Sequence, residues 1–174
     1  MIDGSNFYFK LKQIKLKNQL NFNFSLFVNS LAGKNKIVSS TYYVGAVRTD
    51  GTAKTQQMFN NQRKLLAHLK KNSFRYSLGY LLKTHGKFHE KGVDVQIAVD
   101  ILKGAYKNLY DIAYLVSSDS DLLPAILEAQ LAGKTIVYVG FKHQTSFALL
   151  RQCKKSLLLS KKDLLKFTTN SPTS

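Results

Sequence analysis

The stretch Asp111–Lys134, DIAYLVSSDSDLLPAILEAQLAGK, decides how the chain is read. Ile112-Ala113-Tyr114-Leu115-Val116 is a short apolar run with the length and branched character of a buried strand. Ser117-Ser118-Asp119-Ser120-Asp121 follows, every residue small and polar. From Leu122 apolar residues recur at Leu122, Leu123, Ile126, Leu127 and Leu131, a helical spacing that Gly133 stops. Pro124 falls in the first helical turn, where its missing N–H costs little. Two carboxylates therefore sit where a buried strand hands over to a helix. In open α/β sheets, ligands bind at that end of the strands.

Outward from this unit, strands and helices alternate. Thr135–Phe141 (TIVYVGF) is a continuous apolar run, as in a strand buried on both faces. A helix is expected over Thr145–Lys155, a short strand over Ser156–Ser160 and a closing element at Leu164–Phe167. Upstream, Val93–Asn108 carries Val93, Ile97, Ile101 and Ala105 on one helical stripe. Phe74–Lys83 and Lys36–Arg48 read as strands, and Thr52–Lys71 as a basic helix. Thr84–Gly92 reads as a polar loop, in which His85 and His89 lack a third metal ligand. Phe7–Gln19 has a helical stripe, and Asn21–Leu31 is read as a helix although NFNFSLF also alternates like a strand. Met1-Ile2 is too short to be assigned alone, but Asp3-Gly4-Ser5-Asn6 is turn and cap chemistry. The alternation predicts an α/β fold with a mostly parallel central sheet. One domain is expected over residues 1–167, with 168–174 (TTNSPTS) as a disordered tail.

Charge is the strongest bulk signal. Lys and Arg number 26 against 10 Asp and Glu, a formal charge of +16. Such a field attracts polyanions, nucleic acid before an anionic membrane surface, although a lysine-rich solvated surface is the plainer explanation. No apolar run reaches the length of a membrane span and no signal-peptide pattern is present. The single cysteine, Cys153, excludes an internal disulfide framework, suits a reducing cytoplasm, and reads as a packed residue.

With acids so scarce, their positions carry information. Asp3, Asp119 and Asp121 all follow strand-like segments, and Asp94 lies in the first turn of a helix, where a carboxylate suits the positive helix end. Asp100 is about 240° further round that helix, so it does not share a face with Asp94. Ionised carboxylates about 4–5 Å apart repel by roughly 3–4 kcal/mol at an effective dielectric near 20, so a crowded set needs protons or cations. An all-oxygen set suits Mg²⁺ or Mn²⁺. Each acid also has a structural explanation: Asp121 as the cap of the Leu122 helix, Asp3 as a turn residue, Asp94 as a helix-end charge. Nucleotide-binding glycine loops and a GxSxG elbow are absent from the sequence. Tyr8, Tyr42 and Tyr43 are candidate base-stacking platforms, with core packing the commoner fate of such residues.

Ile2-Asp3-Gly4-Ser5-Asn6, Lys91-Gly92-Val93-Asp94-Val95 with Asp100, and Ser117-Ser118-Asp119-Ser120-Asp121-Leu122 with Pro124 resemble the NYN domain, the LabA-like branch of the PIN-like superfamily. The resemblance runs over nearly the whole chain. It implies a Rossmann-like three-layer sandwich and a Mg²⁺- or Mn²⁺-dependent ribonuclease acting on single-stranded or structured RNA. It implies Asp3, Asp94, Asp119 and Asp121 as metal-binding and catalytic acids, Asp100 as a peripheral acid, and Asn6, Ser117 and Ser118 as polar residues beside the substrate. Ser118 stands where many members have Gly. A homodimer is compatible with the resemblance. The alternative expectation is an NYN-like module that holds RNA or a protein partner without cutting.

Overall fold

A computed structural model describes residues 1–16, 22–84 and 87–168. Its centre is a seven-stranded sheet in the order β4-β3-β2-β1-β5-β6-β7. The strands are β1 (Ile2–Asp3), β2 (Thr41–Ala46), β3 (Arg75–Thr84), β4 (Lys87–Lys91), β5 (Ile112–Val116), β6 (Thr135–Phe141) and β7 (Lys155–Leu159). All neighbours pair in parallel except β4, which runs antiparallel to β3 at the edge. The expected α/β fold with a mostly parallel sheet is therefore the observed one. The order reverses between β1 and β5, and the crevice at such a reversal is where doubly wound folds bind ligands.

Helices cover both faces. Along a strand, successive side chains point to opposite faces, and β2 and β5 show the consequence directly. Tyr42 and Val116 enter one core, Tyr43 and Leu115 the other. The first core is dominated by phenylalanine. Phe7 of α1 (Gly4–Gln13) has ring centroids of Phe22, Phe24, Phe27 and Phe141 within 5.3–6.1 Å. Phe24 and Phe27 come from α2 (Phe24–Ala32), and Leu69 from α3 (Ala53–Lys71). Each such aromatic, fully buried, contributes roughly 1.5–3 kcal/mol. The second core is aliphatic, with Val93, Ile97 and Ile101 of α4 (Val93–Tyr106), Ile126 of α5 (Leu123–Leu131) and Leu149 of α6 (Phe147–Gln152). Cys153 is packed at its margin, where burial raises its thiol pKa to about 11. A last helix, α7 (Lys161–Leu165), starts with a capping box between Ser160 and Asp163.

The structure departs from the sequence expectations in five places. The expected polar loop over Thr84–Gly92 is largely strand where it is described: Thr84 ends β3 and Lys87–Lys91 form edge strand β4, paired from Tyr80↔Lys91 to Thr84↔Lys87. An edge strand needs only its neighbour's backbone ladder, so KFHEK can form one without apolar alternation. His85 lies outside the described residues. The first helix begins at Gly4 rather than Phe7, because Asp3 caps it by accepting from the Asn6 N–H at 3.0 Å. Helix α6 is shorter than expected, Phe147–Gln152, because Lys155 already pairs with Val137 of β6. Tyr42 and Tyr43 are buried at 3% and 1% exposure, so neither is a stacking platform, whereas Tyr8 is exposed. Thr168 is buried and its hydroxyl donates to the Leu165 carbonyl; residues 169–174 of the expected tail lie outside the described residues.

Candidate active site

Two short connections build the crevice at the strand reversal. The first is Asp3-Gly4, where β1 passes directly into α1. A side chain at Gly4 has no room: a Cβ there would lie 2.6 Å from the Tyr43 carbonyl oxygen and 2.2 Å from the Tyr42 ring. Glycine lets the β1–α1 corner press against β2, which holds Asp3 at the sheet's end. The second connection is Ser117–Asp119, leading from β5 into a 3₁₀ turn (Ser120–Leu122) and then α5.

Hydrogen bonds join the two connections. The Ser117 hydroxyl donates to Asp3 Oδ2 at 2.9 Å, while Asp3 Oδ1 accepts from Asn6 N–H. The Asp119 N–H donates to the same Ser117 Oγ at 3.1 Å, and the Ser118 N–H donates to Asn6 Oδ1 at 3.2 Å. Asp3 and Ser117 are both buried. Asn6, Ser117 and Ser118 thus hold the carboxylate-bearing segments in register. The Ser118 hydroxyl is buried with no hydrogen-bond partner. A group left so costs about 1–3 kcal/mol and is uncommon outside functional regions.

The third side comes from α4. Gly92 precedes it with φ +79°, a left-handed conformation that glycine adopts without a steric penalty, and α4 then starts at Val93. Asp94 follows in the first turn, exposed to solvent. Asp3, Asp94 and Asp119, together with Val93, line one cavity of about 200 Å³.

Asp121 has a different position from the other three. It is exposed and does not line the cavity. The capping role the sequence suggested for it belongs to Asp119, whose Oδ1 accepts from the Asp121 N–H at 3.0 Å. Helix α5 has no side-chain cap of its own. Asp119 is therefore both cap and cavity wall. Asp100 is outside the cavity. Its Oδ2 accepts from the Tyr43 hydroxyl at 3.0 Å and its Oδ1 from Gln96 at 3.1 Å. Burial, followed by the charge of Asp100, raises the Tyr43 hydroxyl pKa well beyond the usual tyrosine range. This Tyr43–Asp100 bond ties β2 to α4 behind Asp94.

Among the described residues, no group of three or more His, Cys, Asp or Glu side chains is placed so that it could hold a metal ion. Zinc-type coordination does not fit this site. Mg²⁺ and Mn²⁺ make a different demand: Mg²⁺ keeps several waters and takes one or two carboxylates plus substrate oxygens. Asp3, Asp94 and Asp119 line the cavity without forming a three-ligand cluster, and their all-oxygen chemistry suits an ion that takes one or two carboxylates and keeps its waters.

A second, larger cavity of about 480 Å³ opens at the opposite end of the strands. Its lining is mixed, with Val28, Leu31 and Ile37 beside Asn35, Lys36 and Asp111. None of the cavity-lining acids of the first site reaches it. No helix among the described residues is long and apolar enough to cross a membrane.

No curated protein matches the chain. Among solved structures, it is similar to a protein of unknown function from Vibrio parahaemolyticus, with a TM-score of 0.68 at 22% identity over 91% of this chain and 89% of that one. That likeness establishes a shared fold. The NYN-domain family model matches residues 1–160, a span that holds the Asp3, Asp94 and Asp119 segments and all seven strands. NYN domains have a PIN-like nuclease fold, and their PIN-like relatives usually use divalent metals. By that match, and with the strand order and acidic crevice described above, the chain belongs to the NYN-domain family.

Proposed function

We propose that the protein is a divalent-metal-dependent endoribonuclease of the cytoplasm, hydrolysing RNA phosphodiester bonds at the cavity lined by Asp3, Asp94 and Asp119. The observation that carries this reading is the convergence of three of the chain's few acids, from β1, α4 and the β5–α5 connection, on one crevice. A protein of formal charge +16 that gathers acids at one point has a surface for phosphates and a pocket for cations.

Asp3, Asp94 and Asp119 would hold Mg²⁺ or Mn²⁺. When bound, the ion supplies Lewis acidity that acidifies water and offsets charge on the phosphodiester oxygens. Asp3 is fixed by the Asn6 N–H and the Ser117 hydroxyl, and Asp119 by the Asp121 N–H, so two acids are oriented before substrate arrives. Asp94 projects from the exposed start of α4 and is free to adjust. Asp121, outside the cavity lining, acts through its N–H on Asp119 rather than by its carboxylate. Hydrolysis adds water across the P–O3′ bond. The phosphorus gains the water oxygen, the P–O3′ bond breaks and the O3′ atom takes a proton. The products end in a 5′-phosphate and a 3′-hydroxyl.

The test is cleavage of a single-stranded RNA with Mg²⁺ or Mn²⁺ against the same reaction in EDTA. Asp94→Asn and Asp119→Asn should each reduce turnover by about 100-fold or more, the scale set by loss of one charge-stabilising group. Undiminished cleavage by both variants would refute the site. A second reading, an NYN-like module that binds RNA without cutting, is favoured by the structural work Asp3 and Asp119 already do as caps. Salt-sensitive binding with no metal-dependent turnover selects it. Cleavage of DNA but not RNA of the same sequence would change the substrate class.

A further inference from the structure

Lysine is almost never fully buried without a carboxylate partner, yet Lys10 is only 7% exposed. Its ammonium donates to Gln144 Oε1 at 2.6 Å, a neutral acceptor. No carboxylate among the described residues pairs with it. Burial lowers the Lys10 pKa, and burial followed by the Lys10 charge lowers that of His143. A positive charge is thus held in place at a cost, with a neutral amide oxygen rather than an anion as its acceptor.

Its location gives that cost a use. Asp3, Asn6, Lys10 and Gln13 follow one another at intervals of three and four residues, which places them along one line of α1. Each meets a segment at the carboxyl ends of the strands. Asp3 and Asn6 meet Ser117 and Ser118 after β5; Lys10 meets Gln144, and Gln13 meets His143, both after β6. Lys10 lies seven residues from Asp3, about 10 Å along the helix. The β6 end is likewise two strand spacings from β1, roughly 10 Å. Gln144 and His143 are themselves exposed, so an anion can reach the ammonium by displacing the Gln144 amide.

We infer that Lys10, with Gln13, His143 and Gln144, forms a phosphate-binding subsite that leads the nucleic-acid strand away from the acidic cavity across the ends of β5 and β6. The inference rests on the nuclease reading for the polarity of that path but not for the subsite itself. Lys10 supplies the charge. Gln13 and His143 orient the far side, and the Gln144 amide covers the ammonium until a phosphate oxygen replaces it.

The experiment measures binding of a fluorescein-labelled single-stranded RNA in EDTA, where no cleavage is required, over a range of salt. Lys10→Met keeps the apolar stem and should weaken binding about tenfold, as expected for one charge-assisted contact. It should also reduce the slope of log Kd against log salt by roughly 0.7. Lys107→Ala, which removes the same charge from the exposed end of α4, should change neither by as much. Gln144→Glu keeps Lys10 in place but gives it an internal anion, so it should reproduce the Lys10→Met loss even if Lys10→Met folds poorly. Equal, small effects of Lys10→Met and Lys107→Ala, or full binding by Gln144→Glu, would overturn the subsite. Metal-dependent cleavage with no Lys10 effect sinks this inference alone. A Lys10-dependent affinity without any cleavage sinks the nuclease reading alone.

Discussion

The two ends of the sheet carry two cavities, and the smaller one gathers Asp3, Asp94 and Asp119. At the amino ends of the strands the space is about 480 Å³ with a mixed lining of apolar side chains and polar ones such as Asn35, Lys36 and Asp111; at the carboxyl ends it is about 200 Å³ and lined by Asp3, Asp94, Asp119 and Val93. Volume follows from how well loops fill a gap. Chemistry follows from which backbone ends the topology brings together, and parallel strands bring all their carboxyl ends to one side. The cavity at the carboxyl ends inherits two helix starts, a bridging serine and the scarce acids.

That contrast can be tested in order of expected effect. Titrating Mn²⁺ or Mg²⁺ into the metal-free protein should raise its stability by about 2.7 kcal/mol at one hundred times the dissociation constant, read as a shift in thermal or urea midpoint. Asp94→Asn and Asp119→Asn should abolish most of the shift, whereas substitutions around the larger cavity should leave it intact. Next comes Ser117→Ala, which strips Asp3 Oδ2 of its donor and the Asp119 N–H of its acceptor at a buried point. It should cost about 1–3 kcal/mol in urea unfolding and lower RNA cleavage with it. Smallest is Ile37→Ser in the larger cavity. Ile37 is already 38% exposed, so stability should stay within about 0.5 kcal/mol and cleavage should be unchanged. A large loss of cleavage on Ile37→Ser would mean that the two ends are not independent.

How much of this was legible in the sequence depended on how local each feature is. The β5–loop–α5 unit was readable because strand period, polar break and helix period lie within one stretch of chain. So were the starts of α3 and α4, whose caps and breakers are adjacent in sequence, whereas α2 was expected from Asn21 and starts at Phe24. Strand β4 was not, because KFHEK shows no alternation and owes its conformation to β3. For Asp119 and Asp121 the sequence favoured Asp119, nearest the strand end, as the metal contact, but it gave the cap to Asp121 rather than Asp119. A 3₁₀ turn inserted before α5 shifts the cap by two residues, and composition does not record that shift. Tyr43 and Asp100 are 57 residues apart, and Lys10 and Gln144 are 134 apart. Neither pairing leaves a local pattern. Lys10 in particular sits in a helical stripe where lysines look like the solvated face.

The two-residue strand β1 has a consequence for how the molecule is made. It lies between β2 and β5, and the bond from Ser117 to Asp3 that its placement permits spans 114 residues. Closing a loop of that length costs about 4 kcal/mol of chain entropy beyond a fixed offset, and two residues of pairing recover little of it. Contacts of such separation form late, after local helices and neighbouring strand pairs have narrowed the search. During synthesis Asp3 emerges first and then waits for β5. A chain caught between those events has helices and strand pairs but no gathered acids. The acidic crevice of this fold is therefore assembled at the last topological step, and an immature molecule lacks it.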